Sequence, residues 1–72
     1  SEVQRLMETV PLLEERVKSR ETLATSGYGS RNDFLTLKQE YLDRKQQLES
    51  ARFSLKDTQA AMGNVKERLT QT

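Results

Sequence analysis

Two long stretches of heptad-patterned sequence meet at one break, Ala24-Thr25-Ser26-Gly27-Tyr28-Gly29-Ser30-Arg31, and that break decides what the chain can fold into. It holds the signals for stopping one helix and starting another. Gly27 has no Cβ, so it can take the left-handed conformation that closes a helix at the C′ position. With Gly27 at C′, Leu23 falls at C3 and Tyr28 at C″, the two positions whose side chains touch in a Schellman ending. Ser30 reads as the N-cap of the next helix, with Asp33 three residues on as a short-armed capping box. Asp33 also sets a negative charge in the first turn, where the helix dipole favours it. A loop of about four residues leaves two helices no arrangement but side by side and antiparallel. The expected fold is all-α: an antiparallel two-helix coiled-coil hairpin over residues 1–72 with a short capped tip loop. Helix 1 is expected over about 2–26, the tip over 27–30, and helix 2 over about 31–71.

The flanks supply the seam. Val3, Leu6, Val10, Leu13 and Val17 recur at spacings of three and four, and the same register reaches Arg20 and Ala24. After the break Phe34, Tyr41, Leu48, Leu55, Met62 and Leu69 recur every seven residues, with Leu37, Arg44, Ala51, Thr58 and Val65 as companions. Glu14/Lys18 and Glu40/Arg44 have the i,i+4 spacing and order of stabilising ion pairs. Pro11 removes a backbone donor and crowds the carbonyl four residues back, at about 3 kcal/mol in a helix interior. It either kinks a continuous helix or marks a later helix start. The seam runs through it unbroken, which favours the kink. Gly63 weakens helix 2 by about 1 kcal/mol relative to alanine.

Folding about the tip pairs residues whose numbers sum to about 58. That sets Val17 against Tyr41, Leu13 against Arg44, Val10 against Leu48, and Val3 against Leu55. Arg44 is expected to lay its stem along Leu13 and reach Glu14 or Glu15 with its head. About fifteen residues of helix 2, roughly 22 Å, then extend beyond helix 1, yet Met62, Val65 and Leu69 continue the seam. A lone helix with an apolar stripe is marginal in water. The expectation is that a missing upstream segment or another copy covers it, so that the isolated segment forms a dimer or a higher species. The abrupt start at Ser1 in a helical pattern reads as a segment excised from a larger protein.

Composition narrows the function. Of the 72 residues 33% are hydrophobic and 32% charged, too lean for a globular core but sufficient for a seam. Twelve basic and eleven acidic residues are well mixed, so no basic stripe suggests nucleic acid or an anionic membrane. The longest apolar run, Val10 to Leu13, contains Pro11 and spans no bilayer. With neither histidine nor cysteine, imidazole catalysis and ordinary zinc sites are excluded, and the serines and threonines lack a base partner. Gly27-Tyr28-Gly29 lacks the following lysine and preceding strand of a phosphate loop. The chain is expected not to be an enzyme, with no catalytic residues, cofactor or metal.

The tip and its flanks also carry a resemblance. Leu12-Leu13-Glu14-Glu15-Arg16-Val17, followed by the stretch from Leu23 to Leu35, resembles the hairpin of periplasmic adaptor proteins, the membrane fusion proteins, in the haemolysin D-like branch of type I secretion. Related efflux adaptors carry an arginine, three residues, a leucine, six residues and a serine at the tip. Leu23 and Ser30 have that separation here. Ser19 stands where the arginine belongs, with Arg20 beside it and Arg16 nearby, so the motif is matched in two of its three positions. The resemblance implies a strut that crosses the periplasm and docks end-on to a TolC-type outer-membrane duct. The rest of the protein would be anchored in the inner membrane, work with an ABC exporter and assemble into a ring. This segment itself would touch no membrane. The implied docking residues are Ser19, Arg20, Leu23, Thr25, Gly27, Tyr28, Ser30 and Arg31. The alternative is a structural scaffold hairpin of the cytoplasm, which the heptads and mixed charge suit equally well.

Overall fold

A computed structural model describes residues 1–71. Thr72, the last residue of the expected hairpin, lies outside the described residues. The chain forms two helices, α1 (Glu2–Thr25) and α2 (Arg31–Gln71), which fold back on each other as an all-α hairpin. Its extents are 69 × 15 × 15 Å. The helix ends match the expected boundaries to within a residue.

A signal not anticipated from the sequence starts α1. Ser1 is the N-cap, and its Oγ accepts from the Gln4 backbone N–H at 3.3 Å. The Gln4 side chain reaches back to accept from the Ser1 backbone nitrogen, completing a capping box of the serine-x-x-glutamine type. Arg5 ion-pairs with Glu2 at 2.8 Å in the first turn. The helix then runs unbroken through Pro11, so the reading in which a helix starts near Pro11 is set aside. Pro11 occupies the outer side of α1 and is exposed. Met7, whose carbonyl loses its donor to the proline, is 47% exposed, so water has access where the N–H is missing.

The seam sits on the expected columns. Leu6, Val10 and Val17 of α1 and Phe34 of α2 are buried, and Leu6 is the most deeply covered at 2% exposure. Val3, Leu13, Ala24, Leu37, Tyr41, Leu48 and Ala51 are half-buried. Two lysines on α2 lie along seam aromatics one turn before them. Lys38 Nζ is 5.8 Å from the Phe34 ring centre and Lys45 Nζ is 6.0 Å from that of Tyr41. Both distances fall within the range of cation–π attraction.

Cover on α2 ends nearer the tip than the expected register implies. The loop, residues 26–30, is centred on Tyr28, whereas a sum of 58 centres the turn on Gly29. Facing positions on α2 therefore shift toward the tip. At the open end cover stops with Ala51; Leu55 is 45% exposed and does not close against Val3. The uncovered part of α2 accordingly runs over residues 52–71, all of them exposed, and is longer than the register had implied. Glu14 and Lys18 do form their ion pair, at 3.4 Å. Arg44 lines a groove with Leu13 and Glu40, but its guanidinium donates to Gln47 Oε1 at 3.3 Å, and reaches neither Glu14 nor Glu15. No ion pair joins it to Glu40. On α2 the amide oxygen one turn ahead is a nearer acceptor than a carboxylate on the other helix.

Because cover is concentrated on α1, truncations there should be felt most. Leu6→Ala is expected to lower unfolding free energy by about 2–3 kcal/mol, the lower part of the range for buried leucines. Met62→Ala, at a residue 67% exposed, should change it by less than about 0.5 kcal/mol. Urea titration followed by circular dichroism separates the two, and equal effects would mean the seam is wrongly assigned.

Candidate functional site

The tip is built by closing the loose carbonyls of Thr22, Leu23 and Ala24 at the end of α1. The last turn of a helix leaves four carbonyls without intrahelical donors, and the last turn of α1 carries no basic residue to serve them. Thr22 C=O accepts from the Ser26 N–H at 3.1 Å and from Thr25 Oγ1 at 3.1 Å. Leu23 C=O accepts from the Tyr28 N–H at 3.0 Å and from Ser26 Oγ at 3.1 Å. Ala24 C=O accepts from the Gly27 N–H at 3.4 Å. The Tyr28-to-Leu23 and Gly27-to-Ala24 bonds are the two backbone bonds of a Schellman ending, with Ser26 as C-cap and Gly27 at C′. Gly27 has φ +83°, the left-handed value this ending requires, and is the only described residue with positive φ. Restarting the chain falls to Ser30, whose Oγ accepts from the Asp33 N–H at 3.2 Å while its carbonyl accepts from the Phe34 N–H at 3.1 Å.

The apolar half of that ending is made differently from the expected Leu23–Tyr28 contact. Tyr28 is 87% exposed and Leu23 is 41% exposed, so the ring does not cover the leucine. Gly29 lies there instead. A Cβ built on Gly29 would stand 2.9 Å from Leu23 Cβ and 3.2 Å from the Leu23 carbonyl carbon. The second glycine is thus what lets the chain pass close over α1. A glycine immediately before an N-cap serine was the signal for it. The hydroxyls of Thr22, Thr25 and Ser26 were a second signal that pattern reading overlooked.

The candidate docking residues fall into two groups. Gly27 and Ser30 hold the backbone, and Thr25 donates its hydroxyl to the Glu21 carbonyl at 3.0 Å as well as to that of Thr22, so these shape the tip. Arg20, Leu23, Tyr28 and Arg31 face outward. Among the described residues the only ion pairs are Arg5–Glu2 and Lys18–Glu14, so neither Arg20 nor Arg31 takes part in one. Arg20 lines a shallow groove with Arg16, Asp33, Leu37 and Glu40 across the two helices. Ser19 is exposed on the outer side of α1, in a different groove with Glu15, Arg16, Lys18 and Arg20. The serine at the motif's arginine position therefore shares its groove with two arginines, Arg16 and Arg20. Among the described residues no group of three or more acidic side chains is placed to hold a metal ion, and no helix is long and apolar enough to cross a membrane.

No family model, curated protein or solved structure matches this chain.

Two substitutions test the tip. Gly27→Val meets no neighbour within 4 Å but must hold a positive φ, and should cost about 2 kcal/mol or more. Gly29→Ala meets Leu23 instead, and should cost about 1–3 kcal/mol by overpacking. The two costs have different causes. Gly27→Asn should cost less than Gly27→Val, because asparagine tolerates the left-handed region, whereas Leu23→Ala should not rescue Gly29→Ala, because alanine keeps the Cβ and backbone atoms that a Gly29 Cβ would meet. Thermal melts of these chains check both.

Proposed function

We propose that this hairpin is the docking strut of a periplasmic adaptor, whose tip meets the helical end of a TolC-type outer-membrane duct in type I secretion. The observation that carries the reading is the division of labour at the tip. Its backbone is closed on itself, so no partner is needed to hold its shape, while Arg20, Leu23, Tyr28 and Arg31 are left facing outward. A rigid presentation of a tyrosine, a leucine and two arginines outside any ion pair suits a small end-on contact, where a few such side chains supply most of the binding energy. The Leu23/Ser30 spacing supports the same reading. Ser19 departs from it, and the arginines at 16 and 20 that flank Ser19 are the groups assigned to the missing contact. The elongated shape, 69 Å along one axis, suits a strut.

In cells that make the whole protein, Arg20→Glu together with Arg31→Glu should abolish export of the secreted substrate while protein level and membrane association stay normal. Neither residue is paired within the hairpin, so the fold should be unchanged to within about 0.5 kcal/mol. Cysteines at Thr25 and Tyr28 should cross-link to the periplasmic end of the duct. Normal export from the double variant, with no cross-link from either cysteine, would favour the cytoplasmic scaffold reading instead.

A further inference from the structure

The two helices begin alike and differ at one place. α1 has Ser1 as its cap and Glu2 as its first residue. α2 has Ser30 as its cap and Arg31 as its first residue. A helix N-terminus carries a partial positive charge, made by backbone N–H groups that meet no carbonyl of the helix. Glu2 answers that charge and Arg31 opposes it. Asp33 lies in the same turn, yet its carboxylate forms no ion pair with Arg31. Nor does the guanidinium lie over a ring; the cations that do are Lys38 and Lys45. Among the described residues the Arg31 side chain has no hydrogen bond, ion pair or ring contact. It therefore weakens the start of α2, and nothing within the hairpin offsets the effect.

We infer that Arg31 serves a contact outside the hairpin, meeting a carboxylate on the protein against which the tip docks; this rests on the docking reading above. A guanidinium and a carboxylate pair through two parallel N–H bonds, a fit that gives a small contact both strength and direction. Lipid phosphate is a poorer match. Anionic membrane surfaces are read by clusters of about four to eight basic residues, and from Glu21 to Leu35 Arg31 is the one basic residue. Its exposed companions in that stretch, Tyr28 and Leu23, are those of a protein contact. Stability and docking are thus opposed at this position. The substitution that strengthens the hairpin removes the contact.

Both halves can be measured. In the 72-residue chain at low salt, Arg31→Glu should raise the melting midpoint by about 2–4 °C, with Arg31→Gln between the two, and the gain should shrink in about 1 M salt. The chain has no cysteine, so Arg31→Cys can be labelled alone in a whole protein otherwise free of thiols. Export by that variant should fall at least about tenfold. Labelling with an aminoethyl methanethiosulfonate, which restores a cation, should recover most of it. The neutral methyl reagent and the anionic sulfonatoethyl reagent should not. A midpoint unchanged or lowered by Arg31→Glu would overturn the proposal, as would full export by unlabelled Arg31→Cys or recovery with the anionic reagent. If cysteines at Thr25 and Tyr28 still cross-linked to the duct in those cases, the docking reading would stand without this contact. Binding of the 72-residue chain to phosphatidylglycerol vesicles, lost in Arg31→Gln, would also overturn it by assigning the anion to lipid.

Discussion

Everything in this hairpin depends on a seam only one residue thick. Its buried members are Leu6, Val10, Val17 and Phe34, and the residues around them are half-covered at best. Removing such side chains from water contributes about 1.5–3 kcal/mol each before any correction for a compact unfolded state. A rod 15 Å across has no second layer to add to that. Stability is therefore set by whether α1 stays aligned on α2, and alignment is set where the chain turns. Local devices that would be minor in a globular domain become decisive here. The Ser1–Gln4 box, the Ser30 cap and the carbonyl closure at the end of α1 all act at helix ends, where a short seam would fray first.

The two glycines of the tip do unlike jobs, and the difference fixes the register. Gly27 supplies a dihedral angle, φ +83°, with open space around it. Gly29 supplies proximity, its missing Cβ making room against Leu23. Together they bring the centre of the turn to Tyr28, and the seam of α2 follows from that centre. Side chains with a Cβ at both positions would widen the loop, and α2 would meet α1 at a different height. A slip along the axis would leave each apolar column facing the other helix but would set Leu6 and Phe34 against different neighbours.

Much of this was legible in the residues themselves. Three-four spacing is a direct statement about one face of a helix, so the seam columns and the helix limits follow from it with little else required. The Gly27 stop was legible for a similar reason, since only one residue type suits a positive φ. The height of one helix on the other was harder. It depends on where in a five-residue loop the direction reverses, and the close pass of Gly29 over Leu23 is a contact in space that spacing does not encode. Arg44 shows the same limit. A guanidinium on a long stem has many acceptors within reach, and Gln47 on its own helix takes it at 3.3 Å, whereas pattern reading assigned it to glutamates across the seam. At the candidate site the sequence indicated which residues gather at the tip. It did not separate those that close the backbone, such as Thr25, from those left facing out, such as Tyr28, because both kinds are small or polar residues in one short stretch.

The shape also governs how the two ends can influence one another. The tip is a self-satisfied turn at one extreme of a 69 Å rod, and the uncovered face over residues 52–71 lies at the other. No side chain spans that distance, and the only connection is the pair of helices. A change at Arg20 or Arg31 breaks no bond within the hairpin, so it has no route to the open end. A change at Leu6 does have one, because loosening α1 uncovers the seam of α2 and lengthens the uncovered face. Coupling between the ends, where it exists, must therefore pass through the seam and scale with its stability. Weakening the seam should blur the difference between the covered and open halves of α2, while alterations confined to either end leave the other as it was.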